Sequence, residues 1–147
     1  IMSLEENRAI VRKFTEEFNK RNLDVMDEFL ALNYVEHALK LQGLEDVKKF
    51  LSMLIKSLDL QMTIEDIIAE GDKVWVRYTF TGRHIGDFRG LAPTGEKFTE
   101  SVVYIFRIVN GKTTEAWAVI DELDFLKKIG AIEYTEKAKK LLPKDVK

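Results

Sequence analysis

Few side chains in this sequence can trade a proton near neutral pH. There are two histidines, His37 and His84, and no cysteine. Thiolate chemistry, disulfides and Cys-ligated metal are therefore excluded. The carboxylate with the most suggestive neighbours is Asp121, which ends the run Glu115-Ala116-Trp117-Ala118-Val119-Ile120-Asp121. Side chains alternate along a strand, so Glu115, Trp117, Val119 and Asp121 share one face, and Thr114, Ala116, Ala118 and Ile120 share the other. A carboxyl beside Trp and Val loses hydration, and its pKa rises toward the operating pH, as a general acid/base requires. The competing reading is structural: Asp121 precedes Glu122-Leu123-Asp124, where it caps a helix and favours the helix dipole. Periodicity leaves both readings open.

The other candidates are equally two-sided. His84 follows a strand end at Gly82-Arg83, a loop position that is ordinarily solvated. His37, among Tyr34, Val35, Ala38 and Leu39, also reads as a core histidine. Trp75, Tyr104 and Trp117 are core aromatics or a surface on which a ligand stacks. Arg77 shares a face with Trp75 and Thr79 and needs a partner if buried, with Glu115, Glu100 or a ligand as candidates. No H-x-H spacing supports a metal site, so no metal is expected, and no P-loop, G-x-G-x-x-G, nucleophile elbow or H-E-x-x-H is present.

The elements that must position these residues are legible from periodicity. Ser3 and Glu6 form a capping-box pattern, and Ile10, Val11, Phe14 and Phe18 predict a helix over residues 4–20. A short helix over 23–30 follows, then an extended stretch around 33–37. Val47, Phe50, Leu51, Leu54 and Ile55 mark a helix over 44–58. From Leu60 the period becomes two, giving strands at 60–70, 73–81 and 97–109, with a Gly-rich loop at 82–96 that serves as a shaped turn or a lid. Asn110-Gly111 predicts a type I′ hairpin returning the last strand antiparallel, because both central residues of that turn need positive φ. A short helix ends at Gly130, and another is expected within 133–142 before a polar tail. Helices grouped ahead of consecutive strands argue α+β.

The chain has 147 residues and a net charge of −2. That length fits one domain, here 4–132, with residues 133–147 as a C-terminal tail. It buries roughly 68–70 % of its unfolded surface. The charge offers no basic footprint for nucleic acid. No apolar run approaches the ~20 residues of a membrane span, and no signal-peptide pattern opens the sequence, so no membrane partner and a cytoplasmic setting are expected.

Several short stretches, in order, resemble the SnoaL-like polyketide cyclases of the NTF2-like superfamily. They are Asn33-Tyr34-Val35-Glu36-His37, Ala69-Glu70-Gly71-Asp72-Lys73-Val74, Gly82 to Gly90 with Pro93-Thr94-Gly95, and Phe106-Arg107-Ile108 running through Asn110-Gly111-Lys112 to Glu115-Ala116-Trp117 and Asp121. The resemblance implies a cystatin-like α+β cone: a curved, mixed, mostly antiparallel sheet packed on N-terminal helices around an internal pocket, in a homodimer. It also implies intramolecular aldol condensation or isomerisation of a small apolar carbonyl ligand, with no cofactor. Asp121 would take the α-proton and return one to the carbonyl oxygen, with His84 and His37 assisting. Trp117 and Tyr104 would line the cavity, and Trp75, Arg77, Tyr34 and Phe88 complete the expected substrate contacts. One departure is Arg83, where the family commonly has Thr, which would put a cation near the pocket mouth. A non-catalytic ligand binder or dimeric module on the same cone is the alternative, and it predicts that Asp121 caps its helix and points away. Epoxide hydrolysis would need an Asp-Arg-Asp set, of which Arg77 and Asp121 supply two members.

Overall fold

The computed structural model describes residues 3–142. Helix α1 (Leu4–Asn19) opens with the expected capping box: Ser3 Oγ accepts from Glu6 N, and Glu6 Oε1 accepts from Ser3 N. Its inward positions Asn7, Val11, Thr15 and Phe18 recur every three or four residues. The stretch Leu23–Glu28 is a 3-10 helix rather than a full helical turn pair. Phe29 and Leu30 leave it because Leu30 already begins strand β1 (Leu30–Glu36). A two-residue strand β2 (Leu41–Gln42) precedes α2 (Leu44–Leu58). Then come β3 (Gln61–Glu70), β4 (Lys73–Arg83), β5 (Lys97–Val109) and β6 (Lys112–Ile120). Helices α3 (Glu122–Lys128) and α4 (Glu136–Leu141) follow, and the expected polar tail from residue 143 lies outside the described residues.

The six strands form one curved sheet in the order β2-β1-β6-β5-β4-β3. All pairings are antiparallel except β1 with β6, so the sheet is mixed, and it holds two strands beyond the four consecutive ones that period two suggests. Asn110 and Gly111 both take positive φ, 51° and 80°, as a type I′ turn demands. Helix α1 packs on β3 and β4, and α2 packs on β1. The core lies between helices and sheet, around Phe18, Met26, Val74, Val76, Tyr78 and Ala116. Among the described residues no helix is long and apolar enough to cross a membrane.

Close backbone contact brings the end of β4 against α2. Ile85 N and Gly86 N both donate to Ser57 O. A Cβ on Gly86 would stand 2.6 Å from Lys56 O, and one on Gly82 would collide with Leu58 O, so only glycine permits this approach.

Candidate functional site

The sheet has an inner and an outer face, and register decides which side chains reach the interior. On β5 the inward positions are Phe98, Glu100, Val102, Tyr104, Phe106 and Ile108. Across the β5–β6 pairing, Phe106 faces Ala116, Tyr104 faces Ala118 and Val102 faces Ile120. Large aromatics on β5 leave room for only small side chains on β6, so Ala116 is fully buried while Trp117 and Val119 turn outward.

Inside lies a cavity of about 90 Å³. Phe80, Phe98, Val102, Tyr104 and Ile120 of the sheet line it, with Phe50, Leu54 and Leu58 of α2 opposite. Phe88 and Arg89 of the long loop close one side, and Glu122 and Phe125 another. A second hollow of about 30 Å³ shares Phe50, Leu54, Phe80 and Tyr104 and adds Tyr34 and Glu36. Phe125 holds α3 in place by meeting Phe98 edge-on at 5.1 Å and Phe88 at 5.6 Å.

The carboxyl in the wall of the larger cavity that matters most is Glu100. It is 6 % exposed. Burial, and next the hydrogen bond with Asp124, push its pKa up to about 7, while Lys128 pulls the other way. Lys128 Nζ lies 3.2 Å from Glu100 Oε1 and 2.7 Å from Asp124 Oδ2, and donates to Thr99 O at 2.6 Å. Asp124 is lowered in turn, chiefly by Lys128. The sequence did carry a signal for Glu100: it interrupts the apolar period Phe98-Glu100-Val102-Tyr104 on the inward face of a strand, where a charge is out of place. Glu36 is a second buried acid, raised by burial, but its oxygens accept from Ala38 N and Leu39 N and so shape a turn. Burial and the Glu36 carboxyl hold the Tyr104 phenol above its ordinary range, so it stays a neutral donor.

The sequence-derived candidates separate into three groups. Tyr104 and Phe88 line the larger cavity, and Tyr34 the smaller. His84 is fully buried rather than solvated: Thr94 N donates to its Nδ1 at 3.2 Å, and its ring meets Phe88 edge-on at 6.4 Å. It supports the loop from behind, and it is not among the cavity's lining residues.

The third group lies outside, which corrects the expectation that a Trp117–Asp121 face enters the pocket. Strand parity is as expected, but that face is the outer one. His37 stacks on Trp117 with centroids 5.0 Å apart, and its Nε2 lies 2.8 Å from Glu115 Oε2. Arg107 covers the Trp117 ring at 5.8 Å. Trp75 and Arg77 are also outward, and the partner of Arg77 is Asp66 at 2.7 Å, brought level by a bulge in β3, not Glu115 or Glu100. An Asp–Arg pair thus exists, but away from the cavity. Asp121 is exposed, and its Oδ1 accepts from Asp124 N at 3.0 Å as the N-cap of α3. The cavity is lined instead by its two neighbours, Ile120 and Glu122. Arg83 is exposed and donates to Gly95 O, so the cation at the cavity is Arg89.

The sequence pattern of the SnoaL-like polyketide cyclases matches residues 9–129. Aklanonic acid methyl ester cyclase DnrD of Streptomyces peucetius is 31 % identical over 110 residues, covering 70 % of this chain and 76 % of that protein. Nogalonic acid methyl ester cyclase of Streptomyces nogalater is 28 % identical over 101 residues, covering 65 % and 75 %. The solved structure of TsrD from Streptomyces laurentii superposes with a TM-score of 0.82 at 25 % identity, over 90 % of this chain and all of that one.

Proposed function

The chain belongs to the SnoaL-like polyketide cyclase family, and on that premise we propose that it catalyses cofactor-free acid/base chemistry, an intramolecular aldol closure or an isomerisation, on a small apolar carbonyl compound. The observation that carries this reading is Glu100: a buried carboxyl, its pKa raised to about 7, in the wall of a mostly apolar cavity. In the aldol case Glu100 takes the α-proton, and the resulting carbanion attacks the carbonyl carbon of the same molecule. The carbonyl oxygen becomes a hydroxyl as the proton returns. Tyr104, on the same strand face, donates to the oxygen on which charge develops.

Asp121, the residue to which the family resemblance gives the acid/base role, has a different part in this reading. By capping α3 it holds Asp124 and Lys128 against Glu100. The outer face bears an in-register apolar row, Ile68, Trp75, Ile105 and Trp117, which supports a homodimer formed there. A cytoplasmic setting goes with this chemistry.

The test is deuterium incorporation at the α-carbons of methyl 4-oxooctanoate in D2O. Exchange above the buffer rate in the wild type that disappears in Glu100→Gln supports the reading. No exchange by the wild type sinks it and leaves the second reading, a non-catalytic ligand binder, which the outward cap geometry of Asp121 favours.

A further inference from the structure

Three tyrosines line the smaller hollow, and the protein satisfies only one of them. The Tyr78 hydroxyl meets Thr15 Oγ1 at 2.7 Å. Tyr34 is 3 % exposed, yet among the described residues its hydroxyl makes no hydrogen bond. Neither does that of Tyr104, which lines both hollows. Glu36 stands in the same wall, but its oxygens accept from Ala38 N and Leu39 N instead. A buried donor without an acceptor destabilises a fold, so two such phenols at one hollow point to a group that accepts from them there.

Their meeting follows from the sheet. Strand β6 runs between β1, which carries Tyr34, and β5, which carries Tyr104. The inward side chains of β6 there are the small Ala116 and Ala118, which leave space for the tyrosines of its two neighbours to converge. After burial, the Tyr104 phenol is the strongest influence holding the Tyr34 phenol well above its ordinary range, so Tyr34 remains a protonated donor at neutral pH. At about 30 Å³ the hollow takes a group of roughly water size, an oxygen atom rather than a carbon chain. It borders the larger cavity across Phe50, Leu54, Phe80 and Tyr104.

We propose that Tyr34 is a further catalytic residue: with Tyr104 it forms a two-phenol oxyanion site in the smaller hollow, which receives the carbonyl oxygen while the carbon chain lies in the larger cavity beside Glu100. A carbonyl oxygen has two lone pairs and accepts one hydrogen bond from each phenol. When Glu100 takes the α-proton, the C–H electron pair becomes the enolate and negative charge moves onto that oxygen. Both hydrogen bonds then strengthen with no donor having to turn. Neither phenol gives up its proton, and return of a proton to carbon restores the ketone. This inference rests on the proposed role of Glu100.

Exchange into methyl 4-oxooctanoate in D2O tests it. Tyr34→Phe lowers the rate at saturating ester about 10²-fold and leaves KM nearly unchanged, because the bonds matter most in the transition state. Phe removes a hydroxyl that the fold leaves unpaired, so the melting temperature holds or rises. Wild-type exchange in Tyr34→Phe, or a loss of rate that only follows a lowered melting temperature, overturns the inference. A second measurement needs no variant. The carbonyl 13C resonance of the bound ester, labelled at C4, stays at or downfield of its position in water, whereas a carbonyl surrounded by apolar side chains alone moves upfield. An upfield shift also overturns the inference. Either failure leaves the proposed function standing if wild-type exchange still disappears in Glu100→Gln, and absence of exchange by the wild type overturns both.

Discussion

Lys128 reaches from the last turn of α3 to within 3.2 Å of Glu100, so an exposed helix sets the charge of a buried strand residue. The same ammonium holds Asp124 at 2.7 Å. Burial and the hydrogen bond with Asp124 raise the Glu100 pKa to about 7 against the pull of this shared cation.

Replacing Glu100 by Gln should lower turnover roughly 10²–10⁴-fold, the usual contribution of a positioned general base. Wild-type kcat/KM should rise with pH through about 7, as Glu100 ionises. The stability effect has the opposite sign. A carboxyl whose folded pKa lies above its unfolded value of 4.5 binds more protons folded than unfolded between 4.5 and about 7, so its contribution falls as pH rises across that window. Urea midpoints at pH 5 and pH 8 should therefore differ less in Glu100→Gln than in the wild type.

Lys128→Met removes the group that lowers the Glu100 pKa. The rising limb of the pH–rate profile should move to higher pH. A profile left in place would show that Lys128 does not control this proton, and 13C NMR of labelled glutamate would read the same shift without a substrate.

At Asp121 two substitutions divide the cap from the chemistry. Asn caps a helix about as well as Asp, whereas Ala costs about 1 kcal/mol, or roughly 2–4 °C in melting temperature for a chain of this size. Asp121→Asn should retain both stability and most turnover. Asp121→Ala should lose stability and loosen α3. A stable Asp121→Asn protein without activity would return the acid/base role to Asp121.

The outer face is tested through assembly. Trp75 is 47 % exposed and Val119 is 68 % exposed. Trp75→Glu should convert a dimer to a 17.0 kDa monomer in light scattering while leaving the melting curve nearly unchanged. A wild type that is already monomeric would refute the dimer.

Much of this protein was determined by local sequence. The capping box of α1, the extent of α2 at Leu44–Leu58 and the Asn110-Gly111 turn follow from side-chain pairing and allowed φ. The alternation along β6 follows from the pleat itself. None of these says which side of a strand faces inward. That was decided only when β6 docked beside β5, whose Phe98, Tyr104 and Phe106 occupy the interior and leave room there for Ala116 and Ala118 but not for Trp117. A strand with Trp on one face and alanines on the other reads, by hydrophobicity, as Trp inward. Volume competition across the sheet reversed it, carrying Trp117 and Val119 to the outer face and leaving Asp121 exposed as the α3 cap. The same packing buried Glu100. Its raised pKa comes from that burial first and then from Asp124, more than twenty residues away in the chain, and such proximity exists only in the folded molecule.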